Sequence, residues 1–239
     1  MTALLPASRT SGSLESVFDE SPSRPAYEAA KRAIDVVIAL LALAILSPLW
    51  LAIALAVKLS SPGPILFRAD AVGRYGRPYW CLKFRTMRID GDDSHHRDWV
   101  RGYVLENKPY AVVRDATGRE ERLFKVVHDP RVTSVGRVLR RTGLDEAPQF
   151  VNVLRGEMSI VGPRPPRVFE YEHYSDRQRH RLDVRPGITG LYQVTARARA
   201  SFDEVVALDF EYIRRRSLWL DLQIMARTIP VMVFGRGGF

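Results

Sequence analysis

Residues 36–57 read VVIALLALAILSPLWLAIALAV, and this apolar stretch decides how the rest of the chain is arranged. Every residue in it is apolar except Ser47 and Pro48. As one straight helix, the 22 residues would extend ~33 Å, enough to cross a bilayer core of about 30 Å. The stretch therefore predicts a membrane element, and the simplest form of that element is a transmembrane helix.

Two features instead favour an element that enters and leaves the membrane on one side. Pro48 removes a backbone hydrogen bond and kinks the helix near its middle, and Ser47 can bond a freed carbonyl. Positive charge flanks both ends, at Lys31 and Lys58 among others, and such flanks favour the cytoplasm. On this evidence alone, a spanning helix and a re-entrant element over 26–60, broken at Ser47-Pro48, both remain open.

The remaining chain divides around this element. Residues 1–25 are rich in Ser, Pro, Thr and Gly, which predicts a disordered lead, and residues 61–239 can form a cytoplasmic domain with its own core. The formal net charge of +9 favours partners that carry phosphate: nucleic acid, an anionic membrane surface or phosphorylated ligands. The single cysteine, Cys81, excludes an intrachain disulfide, and its apolar context predicts a small buried residue.

An acidic pair, Asp145-Glu146, is the strongest candidate for chemistry. Gly143 predicts a turn before it, and Pro148 fits the first turn of a following helix, whose free N–H groups favour negative charge. Such a pair can hold a divalent cation beside a phosphate or supply a carboxylate nucleophile. A capped helix whose acids pair with the preceding Arg140 and Arg141 explains the same residues without chemistry.

Short hairpins and helices are predicted for the cytoplasmic part, which makes it an α+β domain. One hairpin pairs strands at 65–67 and 79–84, and a second pairs 110–114 with 123–127, within a polar and charged stretch from 89 to 128 that contains turn signals. The other predicted elements are a helix that begins after residue 129, a charged helix over 168–183, a strand at 191–194, a helix capped by Ser201, and a last segment, 217–234, that is either interfacial or a buried core helix.

Basic side chains on these elements are candidate phosphate ligands. In a strand, Lys83 and Arg85 project from one face, although an ordinary basic edge strand shows the same pattern. The loop RPGITG at 185–190 contains two glycines, so its backbone N–H groups near Arg185 and Gly187 can approach an anion closely.

Taken together, the ordered motifs resemble those of the bacterial sugar transferases known as monotopic phosphoglycosyl transferases. The resemblance runs from about residue 31 to 234. It rests on KRAID at 31–35, the Ser47-Pro48 break, SPGP at 61–64, KFRTM at 83–87, LDE at 144–146, PQ at 148–149, NVLRG at 152–156, VGPRP at 161–165, PGITG at 186–190 and residues 209–212.

This resemblance implies a fold and an activity. The broken helix would be re-entrant, with interfacial amphipathic helices and a mostly helical catalytic domain on the cytoplasmic face of the bacterial inner membrane. The family transfers a sugar 1-phosphate from a nucleotide sugar, usually a UDP-sugar, to polyprenyl phosphate such as undecaprenyl phosphate. The reaction passes through an aspartyl-phosphate, releases UMP and initiates exopolysaccharide, capsule, O-antigen or glycoconjugate synthesis.

By resemblance, Asp145 would be the nucleophile and Glu146 the main ligand of the required Mg²⁺, with Asp145 beside it. The candidate substrate-binding residues are Lys83, Arg85, Arg141, Pro163, Arg164, Pro165, Arg185, Gly187 and Arg197. Expected partners are the nucleotide sugar, the polyprenyl phosphate and the membrane, without nucleic acid, and an interfacial homodimer is a further expectation.

Two other classes of protein fit part of the pattern. A membrane-anchored basic protein that only binds lipid would explain the charge and the apolar stretch, but it gives Asp145-Glu146 no role. A metal-dependent phosphohydrolase would use the same acids to activate water and would need no lipid acceptor.

Overall fold

The computed structural model describes residues 24–89, 94–114, 120–124, 129–196 and 200–234. Of the predicted disordered lead at 1–25, only Arg24 and Pro25 are among them, and the first helix already begins at Pro25.

Within these ranges the chain is a mostly helical α+β structure with three two-stranded sheets. The helices are α1 (Pro25–Ile45), α2 (Ser47–Ser60), α3 (Ser94–Glu106), α4 (Ser134–Thr142), α5 (Gln149–Arg155), α6 (Val168–Tyr171), α7 (Asp176–Arg179), α8 (Leu191–Thr195), α9 (Phe202–Arg215) and α10 (Leu218–Phe234). The strands are β1 (Leu66–Val72), β2 (Pro78–Phe84), β3 (Ala111–Arg114), β4 (Glu120–Leu123), β5 (Ser159–Val161) and β6 (Gly187–Thr189). The pairs β1–β2 and β3–β4 are antiparallel, and β5–β6 is parallel.

Helices α1 and α2 form the bent apolar pair, broken at Leu46 beside the predicted Ser47-Pro48 site. Their axes differ by 65°. Among the described residues, no helix alone is long and apolar enough to cross a membrane, but this pair together meets that test of length and composition. Many of its large apolar side chains face outward, and Leu51 is 72% exposed and Leu59 is 77% exposed. The pair thus offers an apolar surface for membrane association.

The first half of α1 is fastened to the rest of the protein by polar contacts. Arg32 Nη1 donates to the Val153 carbonyl at 2.6 Å, at the end of α5. Asp35 is 4% exposed and accepts hydrogen bonds from Ser159 Oγ at 2.7 Å and from the Ile160 amide at 3.1 Å. A buried carboxylate with two donors is well compensated, so α1 is held firmly against β5.

The far end of α2 is attached to the same body. Arg85 follows β2, is buried, and donates through Nη2 to the Ser61 carbonyl at 2.6 Å and through Nη1 to the Pro62 carbonyl. Both ends of the bent pair are therefore bonded to the globular part of the chain.

The first predicted hairpin is confirmed, whereas the second forms with a returning strand that overlaps the predicted 123–127 only at Leu123. In the first, β1 and β2 pair through seven residues, with Phe67 opposite Lys83. In the second, Ala111 lies opposite Leu123, so the returning strand, Glu120–Leu123, comes slightly earlier than predicted.

The polar stretch 89–128 also contains a helix, α3, which was not predicted from the sequence. Val100 and Val104, four residues apart, are buried, and Trp99 stacks on Tyr103 with ring centroids 5.5 Å apart. Helical spacing of these apolar residues brings all four toward the core.

The segment after residue 167 is also built differently from the prediction. The charged helix expected over 168–183 is divided, because Ser175 caps a new helix through a capping box with Gln178. The strand expected at 191–194 is instead the helix α8, whose Val194 amide bonds to the Gly190 carbonyl at 3.3 Å. Packing of α8 against α9 and α10 outweighs the strand preference of Tyr and Val.

The remaining helix predictions are confirmed. Thr133 caps α4, and Ser201 caps α9 with Glu204 in a capping box. In α10, Ile224 is buried while Trp219 is exposed, so this helix packs on the core and also presents an apolar face. Cys81 is buried as expected, and burial raises the pKa of its thiol.

Candidate active site

Asp145 and Glu146 lie in one turn between two helices. Helix α4 ends at Gly143, whose φ of 71° is left-handed and favours glycine. The 3-10 turn Leu144–Glu146 follows, and Pro148 stands at the N-cap position of α5. Both carboxylates are half-buried, so the turn fixes their backbone while solvent and ligands can reach them.

Lys83 is the cation in contact with this pair. Its Nζ lies 2.6 Å from Glu146 Oε1. Desolvation opposes the lysine charge, but the Glu146 and Asp145 carboxylates outweigh it and hold the pKa of Lys83 above its usual value. The lysine therefore stays charged at the mouth of the site, where it can also face an incoming phosphate.

Arg140 is the arginine that faces the dyad from α4. Its Nε donates to Thr86 Oγ1 at 2.9 Å. Desolvation lowers its pKa, while Asp145 favours the charged form. The sequence pointed to the neighbouring Arg141, which is exposed. Arg140 lies four residues after Gly136, which is buried on the same helical face, and no sequence pattern shows this burial.

Arg164 approaches from the other side, on the segment that leaves β5. The side chain remains exposed to solvent, although the surrounding protein partly desolvates it. Glu170, Tyr192 and Glu146 outweigh that desolvation and raise its pKa. The predicted arginine is thus within electrostatic reach of the predicted acid.

Tyrosines surround Arg164, and no sequence pattern distinguishes them beyond their aromatic character. Burial raises the pKa of Tyr103 and of Tyr192, and it raises that of Tyr174 to about 12. Their hydroxyls therefore remain protonated and can donate hydrogen bonds. Behind them, Arg181 and Asp209 form a buried pair at 2.5 Å.

Several predicted ligands are placed elsewhere. The donors of Arg85 bond to the carbonyls that end α2, and Arg185 Nε donates to the Gly156 carbonyl at 3.0 Å. The Gly187 amide bonds to the Pro163 carbonyl at 2.8 Å, and a Cβ on Gly187 would lie 2.1 Å from the Gly162 nitrogen. This glycine allows close approach of two chain segments.

The last predicted ligands support the site or lie outside it. Pro163 is buried and Pro165 is half-buried, so these prolines hold Arg164 in place between them. Arg197 lies outside the described residues.

The described residues contain no cluster of three or more His, Cys, Asp or Glu able to enclose a metal. The dyad supplies two adjacent carboxylates, and Mg²⁺ in proteins often uses only one or two carboxylates together with water and substrate phosphates. The arrangement therefore fits a cation that is shared with a phosphorylated ligand.

The geometry combines opposite charges in one accessible place. A carboxylate can attack phosphorus only where the negative charge of the phosphates is neutralised. Lys83, Arg140 and Arg164 provide three cations around Asp145 and Glu146. The site can therefore bind a diphosphate and present a nucleophilic oxygen to it.

Comparison with known proteins matches the chain from 26 to 235 to the bacterial sugar transferase family. An exopolysaccharide production protein, ExoY, of Sinorhizobium fredii is 43% identical over 90% of this chain and 91% of its own. A UDP-glucose:undecaprenyl-phosphate glucose-1-phosphate transferase of Caulobacter vibrioides is 41% identical over 88% of this chain and 72% of its own. The galactosyl transferase CpsE of Streptococcus agalactiae is 43% identical over 73% of this chain, and the match spans 36% of that longer protein.

Proposed function

Because the chain belongs to the bacterial sugar transferase family, we propose that it transfers a sugar 1-phosphate from a UDP-sugar to undecaprenyl phosphate. The name of the Caulobacter relative supports the two substrates, and that of the Sinorhizobium relative supports a role in exopolysaccharide production. The observation that carries the proposal is the half-buried Asp145-Glu146 turn, with Lys83 held 2.6 Å from Glu146.

In the first step, an Asp145 carboxylate oxygen attacks the phosphorus that bears the sugar. A bond forms between that oxygen and phosphorus, and the phosphoanhydride bond breaks, so UMP leaves with the bonding electron pair. In the second step, an oxygen of undecaprenyl phosphate attacks the same phosphorus and displaces the Asp145 carboxylate. The product is a sugar-diphospho-lipid, and the enzyme is regenerated.

The cations around the dyad have separate tasks in this scheme. Arg140 lies beside Asp145, where it reduces repulsion between the nucleophile and the diphosphate. Arg164 and Lys83 border Glu146 and can contact the phosphate oxygens, on which charge develops as UMP leaves. Tyr192, half-buried near Arg164, can donate its hydroxyl proton to the nucleotide or sugar.

We assign the Mg²⁺ site to Glu146, with Asp145 beside it and substrate phosphates completing the ligands. When bound, the cation would neutralise the diphosphate and the leaving UMP. Lys83 would then exchange part of its contact with Glu146 for a contact with phosphate.

The attachment of the bent pair supports a re-entrant membrane element. Arg32 ties the start of α1 to α5, and Arg85 ties the end of α2 to β2. A chain that crossed the bilayer once would have its two ends on opposite sides, whereas these two ends are bonded to the same globular part. We therefore place that part on the cytoplasmic face of the bacterial inner membrane, with the exposed face of α10 at the lipid surface.

The test uses purified protein with UDP-glucose or UDP-galactose, with and without undecaprenyl phosphate. With the lipid, UMP should be released over many turnovers, and a sugar-diphospho-lipid should form. Without the lipid, release should stop near one UMP per enzyme, and the enzyme should gain the mass of one sugar phosphate. Asp145→Asn should remove both signals, while Asp176→Asn, at an exposed position on α7, should not.

The two rival functions predict other results. A phosphohydrolase would release UMP over many turnovers without lipid and would free the sugar phosphate. A protein that only binds lipid would release no UMP from any nucleotide sugar in a panel that varies both sugar and base. Either result in properly folded protein would exclude the proposed transfer.

A further inference from the structure

A second cationic cleft lies where the start of α1 meets the loops of the globular part. It is open to solvent, and it shares no lining residue with the dyad and its surrounding cations and tyrosines. Its charged lining consists of Lys31, Arg32, Arg74, Arg185 and Arg216 with the two acids Glu28 and Asp35. The cations come from four separate parts of the chain, so the fold gathers them there.

The acids of the cleft are already engaged. Glu28 accepts from Arg74 at 3.2 Å. Asp35 accepts from Ser159 and from the Ile160 amide, as described above. Lys31 lies 2.9 Å from Asp221, which is not part of the lining.

The other three cations, Arg32, Arg185 and Arg216, have no carboxylate within 4.0 Å in the described parts of the chain. Desolvation, followed by the positive charges of Arg74 and Arg32, lowers the pKa of Arg185. The cleft therefore carries an excess of positive charge that its own side chains do not neutralise.

Donors remain available in the cleft. Among the described residues, Arg185 has a hydrogen-bond partner only for Nε, so both of its Nη groups can donate further. Arg216 is 7% exposed, and its Nε is buried without a hydrogen-bond partner. A buried N–H without a partner is costly and is usually satisfied by a ligand or by water.

We propose that this cleft is a second anion site, which binds one phosphate group separately from the dyad. A phosphate dianion matches the uncompensated charge, and its oxygens suit the planar fork of an arginine. The phosphate could belong to a soluble phosphate compound or to a lipid headgroup. In either case it would bridge Arg32 on α1 to Arg74, Arg185 and Arg216, and so tie the membrane element to the globular part.

The test measures binding of radiolabelled inorganic phosphate by equilibrium dialysis, with the full chain in phosphatidylcholine nanodiscs. A Lys83→Gln, Arg164→Gln background removes phosphate binding at the dyad. We expect phosphate binding to persist in this background. Adding Arg74→Gln should weaken it about tenfold or more, because one charged contact to phosphate is lost and the Glu28 carboxylate loses its partner and repels the anion. Arg77→Gln is the matched control, because Arg77 is exposed in the same turn and does not line the cleft.

Thermal unfolding gives a second measurement, since a ligand of the folded state raises the melting temperature. Phosphate should stabilise the background and the Arg77→Gln variant, but not the Arg74→Gln or Arg185→Gln variants. Equal phosphate affinity in all variants, or no phosphate binding once Lys83 and Arg164 are replaced, would overturn the proposal.

Competition then identifies the source of the phosphate. Displacement by phosphatidylglycerol in the nanodiscs, dependent on Arg74, would support a lipid headgroup as the occupant. Displacement by UMP but not by phosphatidylglycerol would support a soluble phosphate. None of these measurements requires sugar transfer, so failure of the second site and failure of the proposed reaction can be told apart.

Discussion

Replacing Lys83 and Arg85 separately by glutamine should impair two different properties of the protein. The residues are two positions apart at the end of β2, and sequence pattern alone makes both of them phosphate ligands. In the structure, Lys83 contacts Glu146, whereas Arg85 is buried and bonded to the chain that ends α2.

The expected magnitudes follow from these contacts. The Lys83 and Glu146 side chains are 28% and 34% exposed, so solvent screens their attraction and its loss should cost about 1 kcal/mol of stability or less. If Lys83 contacts the transferring phosphate, its loss should lower kcat/KM by about a hundredfold.

Arg85 should show the opposite balance. Glutamine cannot reach the Val57, Ser61 and Pro62 carbonyls together. The Val57 carbonyl keeps the Ser60 hydroxyl as a donor, and each of the other two, if left without a donor, costs about 1–3 kcal/mol. Water will reach some of these carbonyls and reduce the cost. We therefore expect a loss of about 3–5 kcal/mol in the free energy of unfolding.

The assay combines UMP release with thermal unfolding in the same detergent. Arg88→Gln serves as the control, because Arg88 is an exposed arginine on the same segment. Activity of the Arg85→Gln variant should be measured well below its melting temperature and corrected for the folded fraction. If this variant melts like the parent but loses as much kcat/KM as Lys83→Gln, Arg85 acts as a phosphate ligand and our reasoning is refuted.

The remaining predictions concern the dyad, pH and the membrane element. Asp145→Asn should abolish transfer without lowering the melting temperature, and full activity in the purified variant would remove Asp145 from the nucleophile role. Glu146→Gln should raise the Mg²⁺ concentration needed for half-maximal rate, and an unchanged titration would contradict its metal role. The folded-state pKa of Lys83 lies above the usual 10.5, so the contribution of its charge to stability should be complete below pH 10.5. That contribution should be lost only as the pH rises through the folded-state pKa. Thermal unfolding of the parent and of Lys83→Gln at increasing pH measures it. Replacing Ser47 and Pro48 by Leu and Ala should give an uninterrupted helix and move the N-terminus across the membrane in part of the protein population. A cysteine at position 24, in a background lacking Cys81, should then be labelled from outside intact cells. Labelling of this cysteine without the two replacements would exclude the re-entrant element.

Local signals predicted the elements whose formation depends on nearby residues. The first hairpin follows from the turn between its strands, and α9 follows from the capping box at Ser201. Segment 191–194 was assigned wrongly because its conformation depends on packing against α9 and α10, which no short window contains. Helix α3 did carry a local signal, the buried pair Val100 and Val104, but the polar residues around it concealed the pattern.

The site divides in a similar way. Asp145 and Glu146 are adjacent in sequence and fixed by one turn, so the motif alone placed them together. The surrounding cations come from distant elements, and the choice of Arg140 over Arg141 depends on a contact with Thr86, 54 positions earlier. Sequence pattern therefore placed the two candidate acids together but not the full set of residues around them.

The same short elements hold both the dyad and the membrane pair, and this has a mechanical consequence. Helix α5 begins just after the dyad, and its last carbonyls accept the bonds from Arg32 of α1. Strand β2 brings Lys83 to Glu146, and two residues later Arg85 holds the end of α2. A shift of either membrane helix must therefore move an element that positions the dyad. In the proposed reaction the lipid phosphate must reach Asp145 at the membrane surface, so fastening the pair at both ends through α5 and β2 would keep the dyad at the level of the headgroups.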